Sequence, residues 1–397
     1  MRFMRATLLM APVLRLLASV LLVAVVSSLA IGCDTPNGTT NVELAPANSR
    51  LLRIQVDGLW GYCDALGRVV IKPRFRWAQD FSYGFALVAL DEKLQYIDRT
   101  GSVIIQPPFT HDHSPFVHGF AIGSIGLEFH YLGANGRLLA QAFAGAENFS
   151  EGLAAVCIDP TRFAKKPPAE NDFNIPGKWG FIDASGELVI KAEFVAVKHF
   201  NDGLAPVYVG GRNVMCAGPV EGKWGFVNRQ GKLVIKPQFE QAQSFSEGLA
   251  AVSLDGKSTG YINASGEFVI QPRPFAGARE FHDGVASIRG SHELVSPGWK
   301  DFGYVDKSGN IFVHPNFSEG MPFSEGLAAT REKPVWDRVE GKWIQGPYGY
   351  VNKRGEWVIA PQFTHAGTFS EGIACVQNAS SLGYIDRRGK FIWPPSK

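Results

Sequence analysis

The sequence lacks the usual signatures of chemistry. No Gly-x-Ser-x-Gly elbow, no His-Glu-x-x-His pair and no phosphate-cradling glycine loop occurs in its 397 residues. The common motifs of acyl transfer, zinc hydrolysis and nucleotide binding are therefore missing. The five cysteines include no Cys-x-x-Cys pair, which argues against thiol redox or cysteine-held zinc. A charge excess is missing too. Three of the 39 Lys and Arg residues (Arg2, Arg5, Arg15) precede Cys33 and no acidic residue does, so the remainder carries 36 basic against 37 acidic side chains. A nucleic-acid binder needs a basic surface to displace phosphate counterions, so no nucleic-acid partner is expected. What is abundant is 44 Gly, 24 Pro and 28 Phe, a composition that suits short strands and tight turns.

Residues 1–32 read as an export signal. Arg2, Arg5 and Arg15 form a basic front, and an apolar run from Leu16 to Ala30 follows. An uncleaved anchor helix is the other reading, but spanning a bilayer takes about 20 apolar residues and this run is shorter. Leu29-Ala30-Ile31-Gly32-Cys33 resembles the lipobox of bacterial lipoproteins, although Ala30 stands where Leu is commoner. The resemblance implies lipidation of Cys33. It also implies a lipid-anchored place in the bacterial cell envelope, at the outer membrane or cell surface, with Asp34 keeping the inner membrane open. Residues 33–50, rich in Asn, Thr, Pro and Ala, read as a flexible tether.

From residue 51 to 397 the chain is an array of about nine copies of one unit. The clearest begins at Lys223: KWGFVNRQGKLVIKPQFEQAQSFSEGLAAVSL. Trp224-Gly225-Phe226-Val227 reads as a strand, Asn228-Arg229-Gln230-Gly231 as a turn, and Leu233-Val234-Ile235 as the returning strand of a β-hairpin. Pro237 has no N–H and is expected to stop the pairing. Phe239 and Phe245 are expected to pack inward. Ser246-Glu247-Gly248 reads as a second turn and Leu249–Val252 as a third strand. The closing glycine of the first turn recurs at Gly67, Gly101, Gly136, Gly186, Gly231, Gly266, Gly309, Gly355 and Gly389.

Three strands in about 35 residues cannot bury a core alone, so neighbouring copies must cover each other. The fold expected is all-β, tandem three-stranded repeats in an open or gently curved solenoid, with a closed β-propeller as the alternative. The ends are offset: Leu51–Val56 is a strand before the first hairpin, and the last copy stops at Pro394-Pro395 after its hairpin. Longer spacings come from extra residues near 159–176, 209–222, 289–300 and 331–347, always after the third strand. Insertions at one topological point map to one side of an array, which makes that side the candidate binding surface. Asn316–Gly320 imitates the Phe-Ser-Glu-Gly motif but aligns with the Pro-x-Phe segment.

These coupled motifs resemble the WG-repeat (KWG-type) family of bacterial proteins over residues 51–393. Lys178-Trp179-Gly180 and Lys223-Trp224-Gly225 match the triplet, and Leu59-Trp60-Gly61 matches in part. The resemblance implies the repeat architecture and a surface location, and brings no catalytic residues with it.

Other constellations carry weaker signals. The acids of the Phe-Ser-Glu-Gly motif (Glu151, Glu247, Glu325, Glu371, with Asp202 and Asp283) suggest a cation-binding edge or, more simply, solvated turn residues. Single carboxylates one repeat apart do not converge as Ca²⁺ requires. His111, Asp112, His113, His118 and His130 could ligate Zn²⁺ or Cu²⁺, but the segment aligns with a plain polar loop. The Trp and Tyr residues of the repeats are expected in the core. Outside the cytoplasm disulfides are possible, yet Cys63, Cys157 and Cys375 occupy strand positions where sister repeats carry Ile or Val; Cys216 is the fourth. The reading is thus a non-enzyme without cofactor or metal, binding another protein or a cell-wall glycan, with a purely structural spacer as the alternative and an unrecognised hydrolase as a third.

Overall fold

The computed structural model describes residues 50–158, 177–214, 218–290, 302–312, 317–338, 340–378 and 381–394. The expectations for the signal, the tether, Cys33 and Cys216, and much of the insertions at 159–176 and 289–300, fall outside the described residues.

The described chain is all β-sheet, arranged as nine consecutive small antiparallel sheets, or blades. The fifth blade shows the plan. Ala196–Val197, Leu204–Val209, Lys223–Asn228 and Leu233–Phe239 form its first to fourth strands, in that order across the sheet. The expected three-stranded unit thus has a fourth member, a first strand of only two residues, which no hydrophobic alternation could announce. Two blades deviate. The first, Leu51–Val56, Leu59–Asp64 and Val69–Phe75, has no first strand among the described residues. The third replaces its fourth strand by two isolated bridges, Leu132 to Leu138 and Phe129 to Phe143.

The turn chemistry follows the sequence. Asn228 accepts hydrogen bonds through Oδ1 from the N–H groups of Gln230 and Lys232 at 3.1 and 3.0 Å. Gly231 sits at φ +77°, a left-handed conformation open to glycine at little cost. Pro237 does not end the strand. Pairing passes from Phe226–Ile235 to Trp224–Phe239, so that Lys236-Pro237-Gln238 bulges opposite the single Gly225. The bulge absorbs the missing N–H, and it recurs at Gly61, Gly180, Gly260 and Gly349. The glycine of the Trp-Gly pair is there for the close approach: a Cβ on Gly225 would lie 2.7 Å from the Ile235 carbonyl oxygen and 2.8 Å from Pro237 N.

Each core lies between two blades rather than within one. One cluster joins Trp224, Phe226, Ile235 and Phe239 of the fifth blade to Ala242, Phe245, Ala250 and Val252 of the sixth. Eight further clusters bridge the remaining neighbours, and one of them packs Leu52, Ile54 and Cys63 of the first blade against Ile373, Leu382, Tyr384 and Trp393 of the ninth. The ring is closed, which makes the fold a nine-bladed β-propeller. The all-β repeat expectation holds, and the closed alternative replaces the open solenoid. The reason is physical: an open array would leave Leu52, Ile54, Leu382 and Trp393 in water, whereas closure leaves each of them at 3% exposure or less.

A Gly225→Ala variant is expected to lose about 1–3 kcal/mol of stability by forcing a Cβ into backbone. Gly277→Ala, in a strand with nothing within 4 Å of its Cβ position, should change stability by about 0.5 kcal/mol or less. Chemical denaturation midpoints of the two variants check this.

Candidate binding face

The ring has two faces built from different connections. The turns between first and second strands, and between third and fourth, share one face. The connections between second and third strands emerge on the other. All four insertions foreseen from the spacing fall between a second and a third strand, and the described ones, on the fifth and eighth blades, stand on this face. The four are grouped on the fourth, fifth, seventh and eighth blades. On the ninth, first, second and third blades the same connection has two residues, as in Asp57-Gly58 and Asp91-Glu92. The insertions therefore crown one arc of the ring.

The turn face is consumed by structure. The acid of each Phe-Ser-Glu-Gly turn has positive φ, between 51° and 55° in six copies, a strained choice for a residue other than glycine, asparagine or aspartate. Its carboxylate explains the choice. Glu151 accepts a hydrogen bond from the N–H of Gly203 at 3.0 Å, Asp202 from Gly248 at 2.7 Å, Glu247 from Gly284 at 2.9 Å, Asp283 from Gly326 at 2.6 Å and Glu325 from Gly372 at 2.9 Å. Each bond reaches from one blade to the next. The serine beside the acid adds a second: Ser246 Oγ donates to the Phe281 carbonyl at 2.6 Å, and Ser82, Ser150 and Ser324 repeat it. These five carboxylates are not idle turn residues. They latch blade to blade, with a strength expected of charge-assisted bonds, about 1.5–3 kcal/mol each.

The insertion face carries a cluster of exposed apolar side chains held on a firm base. In the eighth blade Val335–Asp337 and Lys342–Ile344 form an extra hairpin. Trp336 and Trp343 pair across it edge to face, with ring centroids 5.3 Å apart. Both remain 44–49% exposed, with Val335 at 69% and Ile344 at 48%. The base is fixed by backbone and side chains together. Glu332 N–H donates to the Pro347 carbonyl at 3.0 Å and Arg331 Nε to the Gly346 carbonyl at 3.0 Å. Arg331 also lies 5.1 Å over the Tyr348 ring, and the Tyr348 hydroxyl donates to Glu319 at 2.8 Å. Burial and the Glu319 carboxylate push the Tyr348 phenol up to about 12, so it stays a donor. A second inserted hairpin, Arg212–Val214 with Gly218–Val220, stands on the fifth blade, where Arg212 and Glu221 pair at 3.0 Å.

Comparison with known proteins fits this geometry. The family model of the WG containing repeat matches residues 60–93, 179–212, 224–257, 260–289, 302–343 and 348–379, more than half of the chain. The chain belongs to the WG-repeat family. No curated protein matched it. Among solved structures, one described as the eukaryotic initiation factor is similar with a TM-score of 0.57 at 12% identity, covering 88% of this chain and 96% of that one. BamB from Moraxella catarrhalis is similar at 0.41 and 9% identity, covering 78% and 95%. A quinohemoprotein alcohol dehydrogenase from Pseudomonas putida HK5 gives 0.36 at 10% identity, covering 80% and 66%. The first likeness concerns the fold alone, and the other two are too distant to bear on function.

Within the WG-repeat ring the name-giving tryptophans are packing residues. Trp60 and Trp224 are buried and Trp179 is half-buried. Tyr348-Gly349 fills the motif position of the eighth blade, and Trp343 belongs to the extra hairpin. Phe317–Gly320 is the first strand of the eighth blade, with Phe317 buried, so the imitation is no turn there; the real one is Phe323–Gly326. The exposed tryptophans were legible only as residues out of phase with the repeat.

The remaining candidates do not assemble. Asp112 accepts from Ser124 Oγ at 2.9 Å, His118 contacts the Tyr83 hydroxyl at 3.1 Å, and His113 packs edge-on to Phe109. Among the described residues no cluster of three or more His, Cys, Asp or Glu is placed to hold a metal. Cys63 is a buried free thiol and Cys375 a half-buried one, and Cys157 is buried. Burial pushes Cys63 and Cys375 up to about 12, so both are unreactive at neutral pH.

Proposed function

We propose that this WG-repeat propeller is a non-catalytic binding module, lipid-anchored in a bacterial envelope, that grips a macromolecular partner with its insertion-bearing arc. The observation that carries the reading is the Trp336–Trp343 hairpin. Large aromatic side chains left in water on a fixed base are what interface hot spots are made of. They stand out of register with a repeat that buries its own aromatics. The flanking Val335 and Ile344 favour a protein groove over a glycan, since sugar sites pair flat rings with polar neighbours. A cell-wall glycan remains the second partner class, and a spacer without a ligand is the opposed reading.

The non-catalytic character is part of the proposal. The propeller fold itself is shared with enzymes, so the case rests on the carboxylates of the turn face being tied up as latches and on the scattered histidines.

A pull-down from envelope extract, set beside peptidoglycan and glycan binding, tests the module. The double variant Trp336→Ser/Trp343→Ser should weaken capture by about tenfold or more and leave the melting temperature within a few degrees. Equal capture by parent and variant would remove the hairpin from the site, and no saturable partner would leave the spacer reading.

Lipid anchoring rests on the Gly32-Cys33 junction and has its own test. Cys33→Ser should release the protein from membranes during carbonate washing. Retention of that variant in the membrane fraction sinks the claim.

A further inference from the structure

The acid latches of the turn face stop at the seam between the ninth and first blades. Glu371 shares the positive φ of the other five acids, at 54°. Each of those five gives its carboxylate to a backbone N–H of the next blade. Register puts Arg50 in the place of Gly372, because Leu51 pairs with Asp64 as Ile373 pairs with Asp386. Arg50 turns its guanidinium instead on the carbonyls of Ser370 and Ile373. Glu371 is left without a hydrogen bond or ion pair among the described residues.

A positive charge is free at the same seam. Lys307, Lys353 and Arg387 donate from one turn position to the carbonyls of Glu247, Asp283 and Glu325 in the preceding blade. Arg99 has that turn position in the second blade. It is half-buried, yet it makes no hydrogen bond or ion pair among the described residues.

Glu371 and Arg99 both line one cavity of about 370 Å³, a volume within the range of small-ligand sites. The cavity has a rigid wall. Arg53, 8% exposed, forks onto both carboxylate oxygens of Asp80 at 2.7 and 3.1 Å and donates to the Ala78 carbonyl at 2.9 Å. That pair cancels its own charge, and the Arg50 guanidinium is engaged on carbonyls. Unspent hydrogen-bonding capacity therefore lies with the Arg99 fork and the Glu371 carboxylate.

Two rings complete the lining. Phe81 is only half-buried, whereas its counterparts Phe116, Phe149, Phe245 and Phe369 are 3% exposed or less. The cavity thus uncovers a ring that these sister blades hide. Tyr83 stands where later blades have the latch acid and keeps the positive φ, at 50°. Its hydroxyl lies 3.1 Å from His118 Nδ1, which steadies the ring.

We propose that this cavity binds a small dipolar molecule, a free amino acid with an apolar or aromatic side chain. Arg99 takes its carboxylate, Glu371 its ammonium, and Phe81 and Tyr83 its side chain. A plain anion would meet the carboxylates of Glu371 and Asp80, and a plain cation would meet three arginines. A molecule carrying both charges satisfies both free groups. The cavity lies on the turn face, opposite the Trp336–Trp343 hairpin, so the inference does not depend on what that hairpin binds.

Isothermal titration of the full chain with each of the standard amino acids tests it. Saturable binding of at least one apolar or aromatic member is expected, with a Kd of about 1 mM or tighter. Its N-acetyl derivative, which lacks the ammonium, and its amide, which lacks the carboxylate, should each bind about tenfold more weakly. Arg99→Gln and Glu371→Gln should each weaken the free amino acid by about tenfold. Neither removes a bond of the described structure, so both variants should melt as the parent does. Arg354→Gln, on an exposed turn of the eighth blade outside the cavity, should leave binding unchanged. Absence of saturation by every amino acid up to about 10 mM overturns the proposal. Equal affinity for the acetylated or amidated derivative overturns it too, since a site for one charge alone would then suffice. Binding that survives both substitutions places the ligand elsewhere and overturns it as well.

Discussion

Every hydrophobic core of this protein is shared by two blades, and the rest of the structure depends on that sharing. A sheet of three or four short strands has two faces and no interior. Tyr350 illustrates the arrangement: it belongs to the eighth blade, meets Phe369 of the ninth at 4.8 Å between ring centroids, and donates its hydroxyl to the Gly367 carbonyl at 2.8 Å. Tyr62, Tyr96, Tyr131, Tyr261 and Tyr304 make the same reach into the next blade. In the fourth and fifth blades Phe181 and Phe226 take the same place and pack on Phe200 and Phe245 of the next blade without the hydrogen bond. A unit removed from this sequence loses two cores, which is why the residues that recur most faithfully are those at the contacts.

The same constraint separates structure from function in space. The turn face must present complementary groups at fixed height from blade to blade, so its carboxylates and hydroxyls are committed. The connections on the opposite face touch no neighbouring blade's core, so they lengthen freely. Four blades have used that freedom and four have kept the shortest turn. A closed ring then gathers the elaborated blades on one arc, in two pairs on either side of the sixth. Specific recognition needs such a break in symmetry, since nine equivalent surfaces would offer one ligand nine equal sites.

Much of this was legible beforehand and some was not. Periodicity gave the hairpin of Trp224–Ile235, the turn at Asn228–Gly231, the buried Phe239 and Phe245, and the common position of the insertions. The strand Gln241–Ala242 was invisible because two residues carry no alternation. Pro237 misled, because a bulge opposite Gly225 lets an outer strand pass a missing N–H. Glu247 looked like a solvated turn residue because the group it serves, the N–H of Gly284, is 37 positions away and belongs to another turn. Trp336 and Trp343 were hidden because they lie in an insertion, where no sister repeat shows which side chains stay exposed.

The sequence alone determined the unit: its strands, its turns and the faces that had to be covered, all set by interactions within about 35 residues. It also determined that units must cover one another. Only the tertiary structure decided that the covering closes on itself. Closure depends on the small rotation between successive blades summing to a full circle over nine of them, and no single repeat encodes that sum. The meeting of Leu52 and Ile54 with Leu382 and Trp393, more than 300 residues apart, is its physical record.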